Sequence, residues 1–385
     1  MAKIKKVWAR EILDSRATPT VETGLMLDTG HIVAASVPSG SSTGSHEALE
    51  LRDNDQNRYL GKGVLKAVEN VNNVLGPSIT GMDAKDQANI DKKLIELDGT
   101  ENKSKLGGNA ILSISLAVAK AGAISSNTTQ YLWINYLAQS YGIKEKVDMP
   151  TPLFNMINGG LHGAGNLDFQ EFHVIPITTK GFREGLQECV EIYLTIGENL
   201  SRRGAIHSVG DEGGYAPNLF TNADALEVFV ESIKQTKYQL GRDVFLGLDV
   251  AAGNFYKNGE YTIRDKSASM NDDGLLEFYK SLNNQYKLAL IEDPFYEDGW
   301  DSWKKIYKEM SNEVIIVGDD LLATNPKRVE KAIQEKACNA VLIKPNQIGT
   351  ISETLNVIKM AREANWKVVV SHRSGETNDS FIADF

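Results

Sequence analysis

Phe245-Leu246-Gly247-Leu248-Asp249, Leu288-Ala289-Leu290-Ile291-Glu292 and Val314-Ile315-Ile316-Val317-Gly318-Asp319 are the stretches whose reading decides the fold. Each is a short apolar run that stops at a carboxylate. Val341-Leu342-Ile343 stops at Lys344 in the same way, and Val368-Val369-Val370-Ser371 stops at His372 and Arg373. Continuous apolar runs of this length fit strands buried on both faces, the habit of parallel sheets. Helical patterns lie between them at 275–286, 301–309, 326–336 and 351–365. The strand–helix repeat of roughly 25 to 30 residues favours an α/β barrel, although periodicity alone also allows an open sheet.

In a parallel barrel the C-terminal ends of the strands share one mouth, where active sites are built. Asp249, Glu292, Asp319, Lys344 and Arg373 would converge there from successive strands. Any one of them, read singly, is a strand-end charge reaching solvent. The series reads differently, because crowded carboxylates repel one another unless a cation joins them. Three carboxylate oxygens from separate strands suit a hard divalent ion, Mg2+ above all, with water or substrate in the remaining octahedral positions. Zn2+ fits less well, since no Cys/His ligand spacing is present.

Working outward, residues 4–37 read as antiparallel hairpins: Val21, Leu25 and Leu27 alternate with other residues, and Asp28-Thr29-Gly30 is a turn signal. A loop of small residues, Pro38 to His46, follows. Residues 60–138 read as helices, with Gly107-Gly108 opening the run 109–123. Strands followed by helices suggest a separate α+β unit. Tyr141 to Pro152, with Gly142, Pro150 and Pro152 among charges, is the linker candidate. The division is thus 1–140, α+β, and 141–385, α/β barrel. Two glycine-rich segments precede the apolar strands. One is Asn158 to Gly165, containing His162 and followed by Gln170-Glu171. The other is Val209 to Asn218, containing Asp211-Glu212-Gly213-Gly214. Such glycines let backbone approach closely; the plainer reading is a tight turn with solvated acids.

The 385 residues carry 41 Lys and Arg against 51 Asp and Glu, a net charge of −10. An acidic chain without a basic block is a poor binder of nucleic acid or anionic membranes. Cys189 and Cys338 are the only cysteines. A disulfide scaffold is excluded, and a reducing cytoplasm is the simplest compartment. Residues 1–16 lack the apolar core of a signal peptide. The most apolar stretch, 110–124, is interrupted by Ser113, Ser115 and Lys120, and is expected not to span a membrane.

Further motifs carry a resemblance. They are Leu13-Asp14-Ser15-Arg16, Pro38 to Gly44 with His46-Glu47-Ala48, Glu50-Leu51-Arg52-Asp53, and Leu97-Asp98-Gly99-Thr100 with Asn102 to Gly107. Val209 to Gly214, Ile291 to Phe295, Lys344 with Asn346 to Thr350, and Ser371 to Thr377 follow. In this order they resemble the enolases. The resemblance implies an α/β barrel with an N-terminal α+β capping domain, and the interconversion of 2-phosphoglycerate and phosphoenolpyruvate with two Mg2+ ions. It implies Asp249, Glu292 and Asp319 as ligands of the first Mg2+, and Ser42 as a ligand of the second. Lys344 is then the base at C2, and Glu212 the acid at the C3 hydroxyl, with Glu171 nearby. His162, His372, Arg373 and Ser374 line or contact the substrate. A phosphorylated small-molecule substrate, a homodimer or higher homo-oligomer and a cytoplasmic place in glycolysis and gluconeogenesis also follow. A lysine or histidine base working with Mg2+ is a general property of this superfamily.

The sequence also departs from that pattern. Ala17-Thr18 stands where these proteins usually have Gly-Asn. Family members are expected to continue past Phe385 through a last strand and closing helices. That strand carries a second lysine in a Lys-Thr-Gly motif, which does not occur here. The alternative expectation is accordingly a truncated, catalytically impaired chain with a binding or scaffold role.

Overall fold

The computed structural model describes residues 2–40, 44–163, 165–177 and 181–385. It has two compact units. The first comprises residues 1–147, 322–331 and 341–385, and the second residues 148–321 and 332–340.

In the first unit, strands Ile4–Leu13, Pro19–Leu27 and Ile32–Ser36 form the expected antiparallel meander. The Asp28-Thr29-Gly30 signal is realised as a tight turn, with Gly30 N–H donating to Leu27 O at 3.0 Å. Val21, Leu25 and Ala35 of the sheet and Ile111, Ile114 and Val118 of helix Gly108–Ser125 are fully buried in one apolar core. Within it the Thr23 and Ser113 hydroxyls satisfy each other at 2.6 Å. The helix is longer than the stretch read from sequence, and by length and composition alone it could cross a membrane. Of its residues 83% are instead buried within the protein, which marks a core helix.

The Ala17 position has a local cost. Ala17 sits at φ +55°, closing a turn in which Asp14 N–H donates to Thr18 O at 2.9 Å. A Cβ in the left-handed region is disfavoured by roughly 1–2 kcal/mol. The Asp14 carboxylate offsets part of this by accepting the N–H groups of Arg16 and Thr18 at 2.9 and 2.8 Å.

The later segments of this unit include strands Ala340–Ile343 and Lys367–Val370, neighbours in one sheet, and helix Ile351–Glu363. The start of that helix is held from several sides. Thr350 caps it by accepting Glu353 N–H. Ile351 N–H donates to Ser115 Oγ, and Ser352 N–H and Oγ–H both donate to Asp91 Oδ2. Asp91 is fully buried, and that burial raises its carboxyl above the usual aspartate range despite these donors. Lys103, 2% exposed, reaches Glu353 at 3.0 Å.

In the second unit, strands Phe154–Asn158, Glu171–Pro176, Val244–Asp249, Leu288–Glu292 and Ile315–Gly318 neighbour one another in that order. The last three pair in parallel as expected. The first two correct the all-parallel reading: Glu171–Pro176 runs antiparallel to both its neighbours. Connectivity explains this. Phe154–Asn158 reaches its partner through a loop rather than a crossover helix. After Pro176, two helices, Phe182–Arg202 and Asn222–Lys234, replace the single crossover helix. Two helices return the chain to the end it left, so Val244 pairs with Pro176 and the next strand runs the other way.

The remaining helices confirm the patterns and sharpen their starts. Asp272–Tyr286 begins three residues ahead of its apolar run because Asn271 caps it, accepting Gly274 N–H at 2.9 Å. Trp300–Met310, Pro326–Glu335 and Ile351–Glu363 match the other three patterns within two residues at either end. Both cysteines are free and buried, and burial pushes the Cys189 thiol up to about 12.

Candidate active site

The second unit aligns its acidic residues along one edge of the sheet. Asn158 pairs with Glu171, Glu171 with Asp249, Asp249 with Glu292, and Glu292 with Val317. Residues paired across a ladder point to the same face. Asp249 and Glu292 end their strands, and Asp319 follows Ile315–Gly318, as the sequence pattern requires. Glu171 begins its strand and still joins the row, because that strand runs backwards. Asp249, Glu292 and Asp319 are 5%, 6% and 9% exposed. Buried carboxylates are rarely left ionised without compensation. A donor set of hard oxygens on adjacent strands fits a divalent cation.

The surrounding groups orient these acids. Gln170 Nε2 donates to Asp249 Oδ2 at 3.0 Å, and Ala251 N–H donates to Oδ1 at 3.1 Å. Glu171 Oε2 lies 2.7 Å from Nε2 of His173, which is 1% exposed. Glu212 Oε1 lies 2.9 Å from His162 Nδ1, and its Oε2 accepts from Asn158 Nδ2 at 3.2 Å. Gly214 permits this last grouping. A Cβ there would stand 2.7 Å from Asn158 Oδ1 and 3.0 Å from Ile157 N. The glycine-rich segment is thus a turn with Asp211 exposed, whose Gly214 backbone packs closely against strand Phe154–Asn158.

Asp293 follows Glu292 and was not singled out from sequence. It is 3% exposed, and one of its oxygens and one each from Asp319 and Asp320 lie within 4.8 Å of one another. Burial, and after it the charges of Asp320, Asp319 and Asp249, hold its carboxyl well above the usual range.

The first unit carries Lys344, His372, Arg373 and Ser374. Lys344 follows strand Ala340–Ile343. Its N–H donates to Thr324 Oγ1 at 3.0 Å, and that hydroxyl donates to Gln347 Oε1 at 2.8 Å. Arg373 is 6% exposed, and its Nη1 donates to Glu47 Oε2 at 2.8 Å and Asn346 Oδ1 at 2.9 Å. Ser374 is buried beside it and His372 is exposed. Residues 374–376 are tied to the N-terminal segment. Ser39 and Gly375 exchange two backbone hydrogen bonds of 2.8 and 2.9 Å. A small pocket open to solvent is lined by Lys344, Arg373, Ser371, Pro38, Leu112 and Phe381. Ser42 lies outside the described residues.

His173, Gln170 and Asp293 in the second unit, and Glu47 and Asn346 in the first, thus contact candidate residues without having been read as functional. His173 was detectable, since residues two apart on a strand share a face. Glu47 was not, being 326 residues from Arg373.

Residues 4–134 match the family model of the enolase N-terminal domain, and residues 146–385 match that of the enolase C-terminal TIM barrel domain. The chain is 49% identical over 385 residues to the enolase of Elusimicrobium minutum, covering all of this chain and 89% of that protein. Both domain models match in order, and the identity runs the full length of the chain. The chain therefore belongs to the enolase family and is a lyase of the phosphopyruvate hydratase type.

Proposed function

We propose that the chain interconverts 2-phosphoglycerate and phosphoenolpyruvate with Mg2+ as its metal, two ions per site. The observation that carries the metal assignment is the register row Glu171, Asp249, Glu292, continued by Asp319. It supports Asp249, Glu292 and Asp319 as ligands of one ion, and the family resemblance supports Ser42 for the second. When bound, such ions would stabilise the charge that builds on the substrate carboxylate as C2 loses its proton.

The chain's own residues supply the rest. Lys344 takes the C2 proton, and needs its neutral form to do so. Its backbone is held by Thr324. Hydroxide is a poor leaving group, so Glu212 delivers a proton to the C3 oxygen, with His162 and Asn158 orienting its carboxyl. Glu171 stands in the same row, held by His173. Arg373 and Ser374 take the phosphate, with His372 alongside. Arg373 is suited to this because its planar fork is pre-aligned by Glu47 and Asn346.

The reading includes residues 1–140 as the capping domain and 141–385 as the barrel, a division supported by the bounds of the two family models. It also includes a homodimer, a cytoplasmic location and a role in glycolysis and gluconeogenesis, on the strength of family membership.

The test is direct. The purified chain is given 2-phosphoglycerate and Mg2+, and phosphoenolpyruvate is followed by ultraviolet absorbance. Lys344→Ala should abolish exchange of the C2 proton with solvent while Mg2+ binding, read by calorimetry, stays near wild type. Surviving exchange would remove Lys344 from the role of base.

A further inference from the structure

We propose that Asp293 is the positioning residue that sets the metal ligands, resting on the metal reading above. Its carboxylate divides its two oxygens between successive amides: Oδ1 accepts Asp319 N–H at 2.9 Å and Oδ2 accepts Asp320 N–H at 2.7 Å. That fixes the turn from which the Asp319 side chain projects. Asp293 is itself fixed by backbone on both sides. Its N–H donates to Val317 O at 3.1 Å, and its carbonyl accepts Ala252 N–H at 3.0 Å. The next carbonyl, that of Pro294, accepts the buried Tyr279 hydroxyl at 2.7 Å.

The consequences reach all three ligands. Glu292 precedes Asp293 in the chain, and Glu292 O accepts Val250 N–H at 3.0 Å, directly after Asp249. Asp293 thus holds the backbone at Asp319 and Ala252, and the Glu292 carbonyl just before it holds the backbone beside Asp249. Its φ of +41° is a conformation that a non-glycine residue holds only where its surroundings impose it. Each oxygen is turned to an amide, and Asp293 lies next to the register row rather than in it, so the geometry assigns Asp293 to orientation. Residues that orient metal ligands typically change affinity 10–100-fold when replaced.

The test uses Mn2+ as the probe, with binding read by electron paramagnetic resonance, and amide exchange measured on the metal-free protein. All measurements are made well below each variant's melting temperature. Asp293→Asn keeps the shape and sets an NH2 group against one of the amides. Asp293→Glu keeps the charge and displaces the carboxylate. Both should lose Mn2+ affinity by about 10–100-fold, with accelerated exchange confined to the amides of Asp319, Asp320 and their immediate neighbours. Asp319→Asn serves as the benchmark for loss of a ligand.

Accelerated exchange with unchanged affinity would make the cap merely structural and overturn the proposal. Wild-type affinity in Asp293→Glu would reduce the role to charge and also overturn it. A loss in Asp293→Asn matching Asp319→Asn, with amide protection intact, would make Asp293 a ligand and overturn it too. Failure of the wild-type protein itself to bind Mn2+ would instead overturn the metal reading on which the proposal rests.

Discussion

Replacing Glu353 by alanine should cost about 3–4 kcal/mol of stability, most of it charged to a different residue. Lys103 is 2% exposed, and its Nζ lies 3.0 Å from Glu353 Oε1. Removing one partner of a buried ion pair leaves an uncompensated charge, at roughly 3–5 kcal/mol. Glu353 is 25% exposed, so water reaches that end of the pair and the lower end of the range applies. The alanine also loses the 2.6 Å hydrogen bond from Thr350 Oγ1 to Glu353 Oε2, worth about 1 kcal/mol. Thr350 still caps the helix through the residue 353 N–H. Glu353→Gln keeps one acceptor oxygen, which can face Lys103 Nζ, and turns its NH2 to the Thr350 hydroxyl, so it should cost only about 1–2 kcal/mol.

The decisive comparison adds Lys103→Met to Glu353→Ala. With the buried ammonium gone, the double variant should recover about 2 kcal/mol relative to the single one. Urea unfolding followed by tryptophan fluorescence reads both units, with Trp133 buried in the first and Trp303 in the second. Amide exchange along Ile351–Glu363 should report the same ordering. A loss below about 1 kcal/mol in Glu353→Ala, or a double variant no more stable than the single, would refute the reasoning.

Two further outcomes are expected. Asp319→Ala should weaken Mg2+ binding by about 100-fold or more by calorimetry, and an unchanged affinity would remove Asp319 from the ligand set. Ala17→Gly should stabilise the protein by about 0.5–1 kcal/mol. Relief of the left-handed Cβ at φ +55° exceeds the extra chain entropy that glycine brings. A destabilised variant in urea unfolding would show that the turn carries no such strain.

The sequence by itself determined the N-terminal hairpins, the apolar parallel strands, the helices between them and which residues stand at the strand ends. These depend on local periodicity and on where an apolar run stops, both of which are written in contiguous residues. Asp249, Glu292, Asp319, Lys344 and Arg373 were all legible in that way. Tertiary structure decided what depends on chain direction and on distant partners. Glu171 reaches the acidic row only because the loop after Asn158 turns its strand back, antiparallel to both neighbours. The Arg373 guanidinium is aimed by Glu47 across 326 residues of chain. Asp293 acts through backbone amides 26 and 27 residues away, in the turn that follows the neighbouring strand. No residue pattern announces a carboxylate that accepts main-chain N–H groups, because every residue but proline offers the same donor. Only the register of folded strands selects which amides it meets.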